Sequence, residues 1–173
     1  MTTRFIPIAG HGAGYRRLVH ILLATDADWI VNEVTAALGS PDTTFTVCTE
    51  GRVVSKVVEE REPNLAILDL QIGSMGGMAV TMALRLDESA GTLPHTNVLM
   101  LLDRAADEFL AKRSGAEGWI VKPLDPLRLK QAAAVIAAGG LYANAVPAIV
   151  EDVEDVADVE SSVAPEEEPA PAG

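Results

Sequence analysis

The sequence predicts an α/β fold in which a doubly wound, five-stranded parallel sheet has helices on both faces. Short runs of apolar, β-capable residues are typical of strands that are buried on both sides. Helical patterns separate these runs over about 120 residues, and this alternation implies crossover connections between parallel strands. We expect the sheet to have the strand order 2-1-3-4-5.

The strands are predicted from continuous or alternating apolar character. The third is the clearest, since Pro63 and Asn64 open a turn and four apolar residues follow before Asp69. The second alternates β-branched residues, as a half-buried strand does. The predicted strands cover residues 18–24, 43–49, 65–68, 97–102 and 119–121.

The helices are predicted from spacing and from their ends. The second must stop before Pro63, and Asp125 followed by Pro126 is a plausible N-cap and first turn for the fifth. In the third, Met78, Met82 and Leu86 are spaced by four, and we expect these side chains to fill the core. The first helix shows a buried stripe at Ile30, Val34, Ala37 and Leu38, and the other helices are predicted at about 53–62, 78–86, 105–114 and 127–138.

The chain divides into a leader, a folded domain and a tail. Residues 1–16 are rich in glycine and without periodicity, so we expect a flexible leader before a domain at 17–139. Residues 140–173 form an acidic tail that lacks aromatic side chains beyond Tyr142, with nine acids between Glu151 and Glu168. Such a segment cannot bury enough apolar surface to fold alone, and we expect it to be disordered.

Composition excludes several classes of protein. The net charge of −12 belongs mostly to the tail, and nothing in the sequence suggests a basic face for nucleic acid. The single Cys48 excludes an internal disulfide and a cysteine-based zinc site, and we expect it to be a small buried side chain. No apolar run approaches membrane-spanning length, and no signal peptide is evident. We therefore expect a cytoplasmic protein that binds neither membrane nor nucleic acid.

Polar residues follow three of the predicted strands at the edge where ligands bind in open α/β sheets. Asp26 follows the first strand, Asp69 the third and Lys122 the fifth, while Leu102 ends the fourth. Neighbouring carboxylates suit a hard divalent cation such as Mg²⁺, and a lysine suits a phosphoryl oxygen. A carboxylate beside Mg²⁺ and lysine can be a nucleophile toward a phosphoryl group.

With these residues the chain resembles the receiver domain of bacterial two-component response regulators, which has a flavodoxin-like fold. The resemblance covers about residues 18–138. It depends on residues 21–26, 63–70, 76–77, 115–116 and 119–123.

The resemblance implies a role for each residue of the constellation. Asp69 would be the phosphoacceptor, and Lys122 would contact the phosphoryl group through a cis bond to Pro123. Asp26, Asp69 and the backbone carbonyl of Gln71 would hold Mg²⁺. Trp119 falls at the aromatic position whose side-chain rotation reports activation in the family.

Three departures from the family pattern predict a weakened site. Thr25 replaces the first of two adjacent acids, so the pocket loses one formal charge and we expect weaker Mg²⁺ binding. Leu102 replaces a serine or threonine and has no hydroxyl to follow the phosphoryl group, which impairs coupling to Trp119. Gly73 replaces a proline and loosens the loop after the acceptor.

Several of these residues also have a purely structural interpretation. Asp69 can be a remnant acid held by Lys122, and Asp26 can be the N-cap of the first helix. Trp119 is expected as a half-exposed packing residue rather than a working switch. Asp103 is expected as the N-cap of the fourth helix.

Three functions remain possible. The first is a stand-alone receiver that accepts phosphate at Asp69 from a histidine kinase or phosphotransfer protein and then contacts a downstream protein partner, with weak or atypical switching. The alternative is a phosphorylation-independent, receiver-like binding module that uses the face of helices four and five or the acidic tail. The third is a phosphatase of the haloacid dehalogenase type. That family needs an acid where this chain has Gln71, so we do not expect an enzyme.

Overall fold

The computed structural model describes residues 4–6 and 19–143, which form a six-stranded sheet with helices on both faces. The strands are β1 Arg4–Ile6, β2 Val19–Ala24, β3 Thr43–Cys48, β4 Leu65–Asp69, β5 Val98–Leu102 and β6 Gly118–Val121. The helices are α1 Asp28–Leu38, α2 Val54–Arg61, α3 Gly77–Ser89, α4 Glu108–Ser114 and α5 Pro126–Ala137. Short 3₁₀ turns precede α2 and α4, at Gly51–Val53 and Ala105–Asp107.

The order of the sheet is β1-β3-β2-β4-β5-β6, and β2 to β6 are parallel to their neighbours. Without β1, this is the predicted order 2-1-3-4-5, so the predicted fold class is confirmed. Every residue of β4 and β5 is buried, as expected for strands covered on both faces.

Alternation along the strands divides the core into two layers. One face of the sheet packs against α2, α3 and α4 through side chains such as Leu22, Leu68 and Met100. The other face packs against α1 and α5, where Ile30 and Leu129 are fully buried. Asp125 caps α5 as predicted, since its carboxylate accepts a hydrogen bond from the Arg128 backbone N–H at 2.8 Å.

A strand lies where no element was predicted. Residues Arg4–Ile6 pair antiparallel with β3, with Arg4 opposite Val47 and Ile6 opposite Phe45. Three residues are too few to show periodicity in a sequence, and Pro7 follows directly. The rest of the predicted leader lies outside the described residues.

The predicted core face of α3 is wrong for two of its three residues, since Met78 is partly buried against the core. Met82 and Leu86 are exposed, at 48% and 68%, whereas Val80 and Leu84 are buried. Both rows have a spacing of four, so the pattern alone does not choose between them. Gly77 determines which row faces the sheet, because a side-chain carbon added there would lie 2.6 Å from the backbone oxygen of Asp69. The helix therefore turns this small residue, and the row near it, toward the sheet.

After α5 the chain returns to the sheet. The Tyr142 backbone forms a parallel bridge with Gly118, accepting a hydrogen bond from the Trp119 N–H at 3.1 Å and donating one to the Glu117 oxygen at 2.8 Å. Its side chain packs partly buried against the core layer of α1 and α5. The first residues of the predicted tail thus belong to the domain, and residues 144–173 lie outside the described part.

Cys48 is fully buried in β3, as predicted for a small apolar side chain. Within residues 4–6 and 19–143, no helix combines the length and the apolar character that crossing a bilayer requires.

Candidate functional site

The carboxyl ends of β2, β4, β5 and β6 bring the predicted site residues to one edge of the sheet. Asp69 is the last residue of β4, and Lys122 directly follows β6. Because the four strands are parallel and in register, Thr25, Asp69 and Lys122 meet through side-chain hydrogen bonds.

Asp69 is a buried carboxylate with a partner on each oxygen. It is only 3% exposed. Its Oδ1 accepts hydrogen bonds from Lys122 Nζ at 2.8 Å and from the Gln71 backbone N–H at 3.2 Å. Its Oδ2 accepts one from the Thr25 hydroxyl at 2.9 Å. A buried charge persists when it is paired and hydrogen-bonded, and this set supplies both conditions.

Lys122 is held by three neighbours. Besides Asp69, its Nζ donates to Oδ1 of Asp103 at 3.1 Å. The ammonium also lies 5.9 Å from the centre of the Trp29 ring, within the range of a cation–π contact. The peptide bond from Lys122 to Pro123 is cis, as the resemblance implied.

Thr25 and Asp26, which follow β2, have different surroundings. Thr25 is fully buried, and its hydroxyl accepts a hydrogen bond from the Ala27 N–H at 3.2 Å while donating to Asp69. Asp26 is exposed, and its Oδ2 accepts from the Gly73 N–H at 3.3 Å. Ala27 occupies the N-cap position of α1 and no side chain caps this helix, so Asp26 is not its N-cap.

The loop after Asp69 approaches its neighbours too closely for side chains at two glycines. A carbon added to Gly77 would meet the Asp69 backbone, and one added to Gly51 would lie 1.8 Å from the Met75 oxygen. Gly77 N–H donates to the Leu70 carbonyl at 3.1 Å, which closes the loop over the end of β4. The first turn of α3 and the end of β4 are therefore in direct contact.

Leu102 and Trp119 belong to one core layer. Leu102 is fully buried at the end of β5, so an aliphatic side chain occupies the position expected for a hydroxyl. Trp119 is 7% exposed, which corrects the prediction of a half-exposed residue. Its Nε1 is buried and has no hydrogen-bond partner among residues 4–6 and 19–143, and Lys112 Nζ lies 5.2 Å from the centre of its ring. The indole is more deeply buried than expected because α4 covers it.

Asp103, which the sequence favoured as a helix cap over a ligand, and Trp29, which the sequence did not single out, are neighbours of the site. The prediction that Asp103 caps α4 is wrong, because a 3₁₀ turn precedes α4: Arg104 occupies the N-cap position of that turn and Asp107 that of α4. The side chain of Asp103 instead pairs with Lys122. The available signal was position, since Asp103 immediately follows β5 at the edge that carries the site.

The oxygens near Asp69 are of the kind that a hard cation binds. The Thr25 hydroxyl contacts the Asp69 carboxylate, and the Asp26 carboxylate follows β2 at the same edge of the sheet. In the part of the chain that is described, no three His, Cys, Asp or Glu side chains form a group that could hold a metal ion. The donor chemistry thus fits Mg²⁺, with two carboxylates rather than three.

Comparison with known proteins gives a consistent result. The family model described as the response regulator receiver domain matches residues 21–134. An uncharacterised response regulatory protein of Mycobacterium tuberculosis strain H37Rv is 32% identical over 117 residues, which cover 64% of this chain and 85% of that protein.

Solved structures agree. The signal receiver domain of NarL from M. tuberculosis superposes with a TM-score of 0.62 at 25% identity, covering 72% of this chain and 99% of that domain. The chemotaxis response regulator CheY4 of Vibrio cholerae shares the fold, with a TM-score of 0.58 at 24% identity over 66% of this chain and 95% of its own. Because the family model matches more than half of the chain, the protein belongs to the response regulator receiver domain family.

Proposed function

We propose that this receiver domain accepts a phosphoryl group at Asp69 from a histidine kinase or phosphotransfer protein and signals through contacts with a downstream protein. The observation that carries the proposal is the pairing of a buried Asp69 with Lys122 Nζ at 2.8 Å. Receiver domains are generally signalling modules rather than enzymes, and the proposed chemistry is a single transfer that modifies the protein itself.

In the proposed transfer, a carboxylate oxygen of Asp69 attacks phosphorus. An O–P bond forms, the P–N bond of the donor phosphohistidine breaks, and its electron pair leaves with the imidazole nitrogen. Lys122, which contacts Asp69, would offset the negative charge of the phosphoryl oxygens, while the Thr25 hydroxyl and the Gln71 N–H would hold the carboxylate in orientation.

Asp26, Asp69 and the Gln71 carbonyl are the residues that would hold Mg²⁺. When bound, the ion supplies positive charge between a phosphoryl donor and the anionic acceptor. Thr25 contributes a neutral oxygen where a second acid would contribute a charge, and this supports a weakened site.

We further propose that switching is weak or atypical. Leu102 has no hydrogen-bond donor, and it is fully buried in the core layer that also contains Trp119. A phosphoryl group at Asp69 therefore has no hydroxyl at this position to draw toward itself. The usual link from the acceptor to the aromatic side chain is interrupted at Leu102.

The test is the intact mass of the protein after incubation with acetyl phosphate and Mg²⁺. We expect one phosphoryl adduct on the parent and none on Asp69→Asn. The carboxamide keeps the shape of the side chain, and circular dichroism of the variant should confirm that it folds. Equal labelling of the two proteins would refute Asp69 as the acceptor.

A second candidate is a phosphorylation-independent binding module. It is favoured by Leu102 and by the exposed apolar side chain of Phe109 on α4, which is 60% exposed. Solitary exposed apolar residues are common on protein surfaces, so this observation supports the binding module less strongly than the pairing at Asp69 supports phosphorylation. Absence of an adduct on a folded parent would favour this candidate.

A further inference from the structure

Lys122 is shared between two carboxylates. Its Nζ lies 2.8 Å from Oδ1 of Asp69 and 3.1 Å from Oδ1 of Asp103. We propose that Asp103 is a positioning residue that fixes the ammonium of Lys122 and limits how firmly this lysine holds a phosphoryl group. This inference deepens the proposed function and rests on it.

The surroundings of Asp103 leave its side chain directed to Lys122. It follows β5 directly and lies outside the 3₁₀ turn that leads into α4. The nearby Arg104 forms hydrogen bonds to both oxygens of Asp107, at 3.1 and 2.9 Å, and it attracts Asp103 more weakly, without a hydrogen bond among the described contacts. The side chain of Asp103 is 41% exposed, whereas that of Lys122 is 11% exposed. The pair thus joins a solvated acid to a largely buried base.

Phosphorylation would change the balance of charge around Lys122. The ammonium now faces one negative charge from Asp69 and one from Asp103. A phosphoryl group carries about −1.5 to −2 at neutral pH. Asp103 repels that larger charge more strongly than it repels the Asp69 carboxylate, and it keeps part of the lysine's hydrogen bonding. It therefore disfavours the phosphorylated state relative to the unmodified one.

The other oxygen of Asp69 has a neutral partner. The Thr25 hydroxyl donates to Oδ2, whereas the ammonium on Oδ1 is the group that Asp103 engages. Without the charge of Asp103, the Lys122 ammonium would be free to direct its hydrogen bonds to a phosphoryl group on Asp69. A neutral variant at position 103 should therefore contain a larger fraction of phosphorylated protein.

The experiment compares the parent with Asp103→Asn, Asp103→Glu and Glu50→Gln. Glu50 is an exposed acid at the same edge of the sheet, beyond β3, and its substitution removes one negative charge away from Lys122. Each protein is incubated with acetyl phosphate and Mg²⁺. Intact mass then gives the steady-state adduct, and its lifetime after donor removal.

We expect Asp103→Asn to raise the adduct and its lifetime by about twofold to fivefold, the range typical of an exposed charge pair. Asp103→Glu, which retains the charge, and Glu50→Gln should stay near the parent. The difference should shrink in salt of about 1 M, where the screening length falls to roughly 3 Å. An unchanged or reduced adduct in Asp103→Asn would overturn the proposal.

A double-mutant cycle separates failure of this inference from failure of the proposed function. Urea unfolding of the parent, Asp103→Asn, Lys122→Met and the double variant should show a salt-sensitive coupling of about twofold to fivefold in the folding equilibrium. No coupling overturns the positioning role. If no protein is labelled, the proposed function fails and the limiting effect on phosphate fails with it, while the cycle still decides whether Asp103 positions Lys122.

Discussion

The hydroxyl of Thr25 donates a hydrogen bond of 2.9 Å to Oδ2 of Asp69, and both side chains are buried. This contact places a neutral donor against the carboxylate that we propose as the acceptor. It stabilises the charge of Asp69, and it contributes none of the negative charge that attracts a divalent cation. The affinity for Mg²⁺ and the stability of the site without it are therefore linked at this position.

Thr25→Asp should lower the stability of the protein and raise its affinity for Mg²⁺. A second buried carboxylate beside Asp69 should lower the free energy of unfolding in EDTA by about 1–3 kcal/mol, because the two like charges repel. Mg²⁺ should bind at least about fivefold more tightly. Calorimetric titration with Mg²⁺ and urea unfolding give both values. Thr25→Asn is the neutral control, and an Mg²⁺ affinity in Thr25→Asp equal to that of the parent would contradict the prediction.

Leu102→Thr should increase the change in Trp119 fluorescence upon phosphorylation, because it supplies the missing hydroxyl. Trp29→Phe is used as the background, so that Trp119 is the remaining tryptophan. Loss of buried methyl groups should lower the free energy of unfolding by about 2–4 kcal/mol. Leu102→Val matches threonine in shape without the hydroxyl. If valine and threonine give the same fluorescence response, Leu102 is not the interrupted link.

The position at which the chain is shortened should determine its effect on stability. Removing residues 144–173 keeps the Tyr142 bridge, whereas removing residues 141–173 deletes two backbone hydrogen bonds and a partly buried ring. We expect the free energy of unfolding of the shorter protein to be about 1–3 kcal/mol lower than that of the longer one, as measured by urea unfolding. Equal stability of the two truncated proteins would mean that Tyr142 contributes nothing to the fold.

Cys48 should be unreactive in the folded protein. Burial raises the pKa of its thiol from 9.0 to about 11, because the thiolate is poorly solvated there. At pH 8 only about one molecule in a thousand carries a thiolate. A disulfide reagent such as Ellman's should therefore react slowly with native protein and rapidly in guanidinium. Comparable rates in the two conditions would show that the β3 region opens readily.

The same shift has a defined consequence for stability. The folded protein favours the thiol form of Cys48. The contribution of this preference to the free energy of unfolding is therefore complete below pH 9 and is lost as the pH rises through about 11. Unfolding free energy should therefore fall over that interval in the parent. Cys48→Ala should show a smaller fall, because it has no group to ionise at this position.

The site could be predicted in outline because its geometry follows from strand direction. Asp69 and Lys122 are 53 positions apart, yet parallel strands bring them to hydrogen-bonding distance at one edge. Burial of β4 and β5 was equally visible, since continuous apolar runs need cover on both faces.

What the sequence did not show depends on close contacts between elements. The phase of α3 is set by the approach of Gly77 to the Asp69 backbone, which no periodicity records. The pairing of Asp103 with Lys122 depends on how the chain turns into α4. The strand β1 is three residues long, and it was not predicted because its pairing with β3 is non-local.

The contact between Gly77 and the end of β4 has a mechanical consequence. Because a side-chain carbon would not fit between them, the Asp69 backbone and the first turn of α3 are in direct contact, and we expect them to move together. A helix is stiff over its length, so a displacement at its first turn is transmitted along its axis. Met82 and Leu86 present exposed apolar side chains further along this helix. A displacement of the Asp69 backbone would therefore reach this exposed surface through α3, without passing through Leu102.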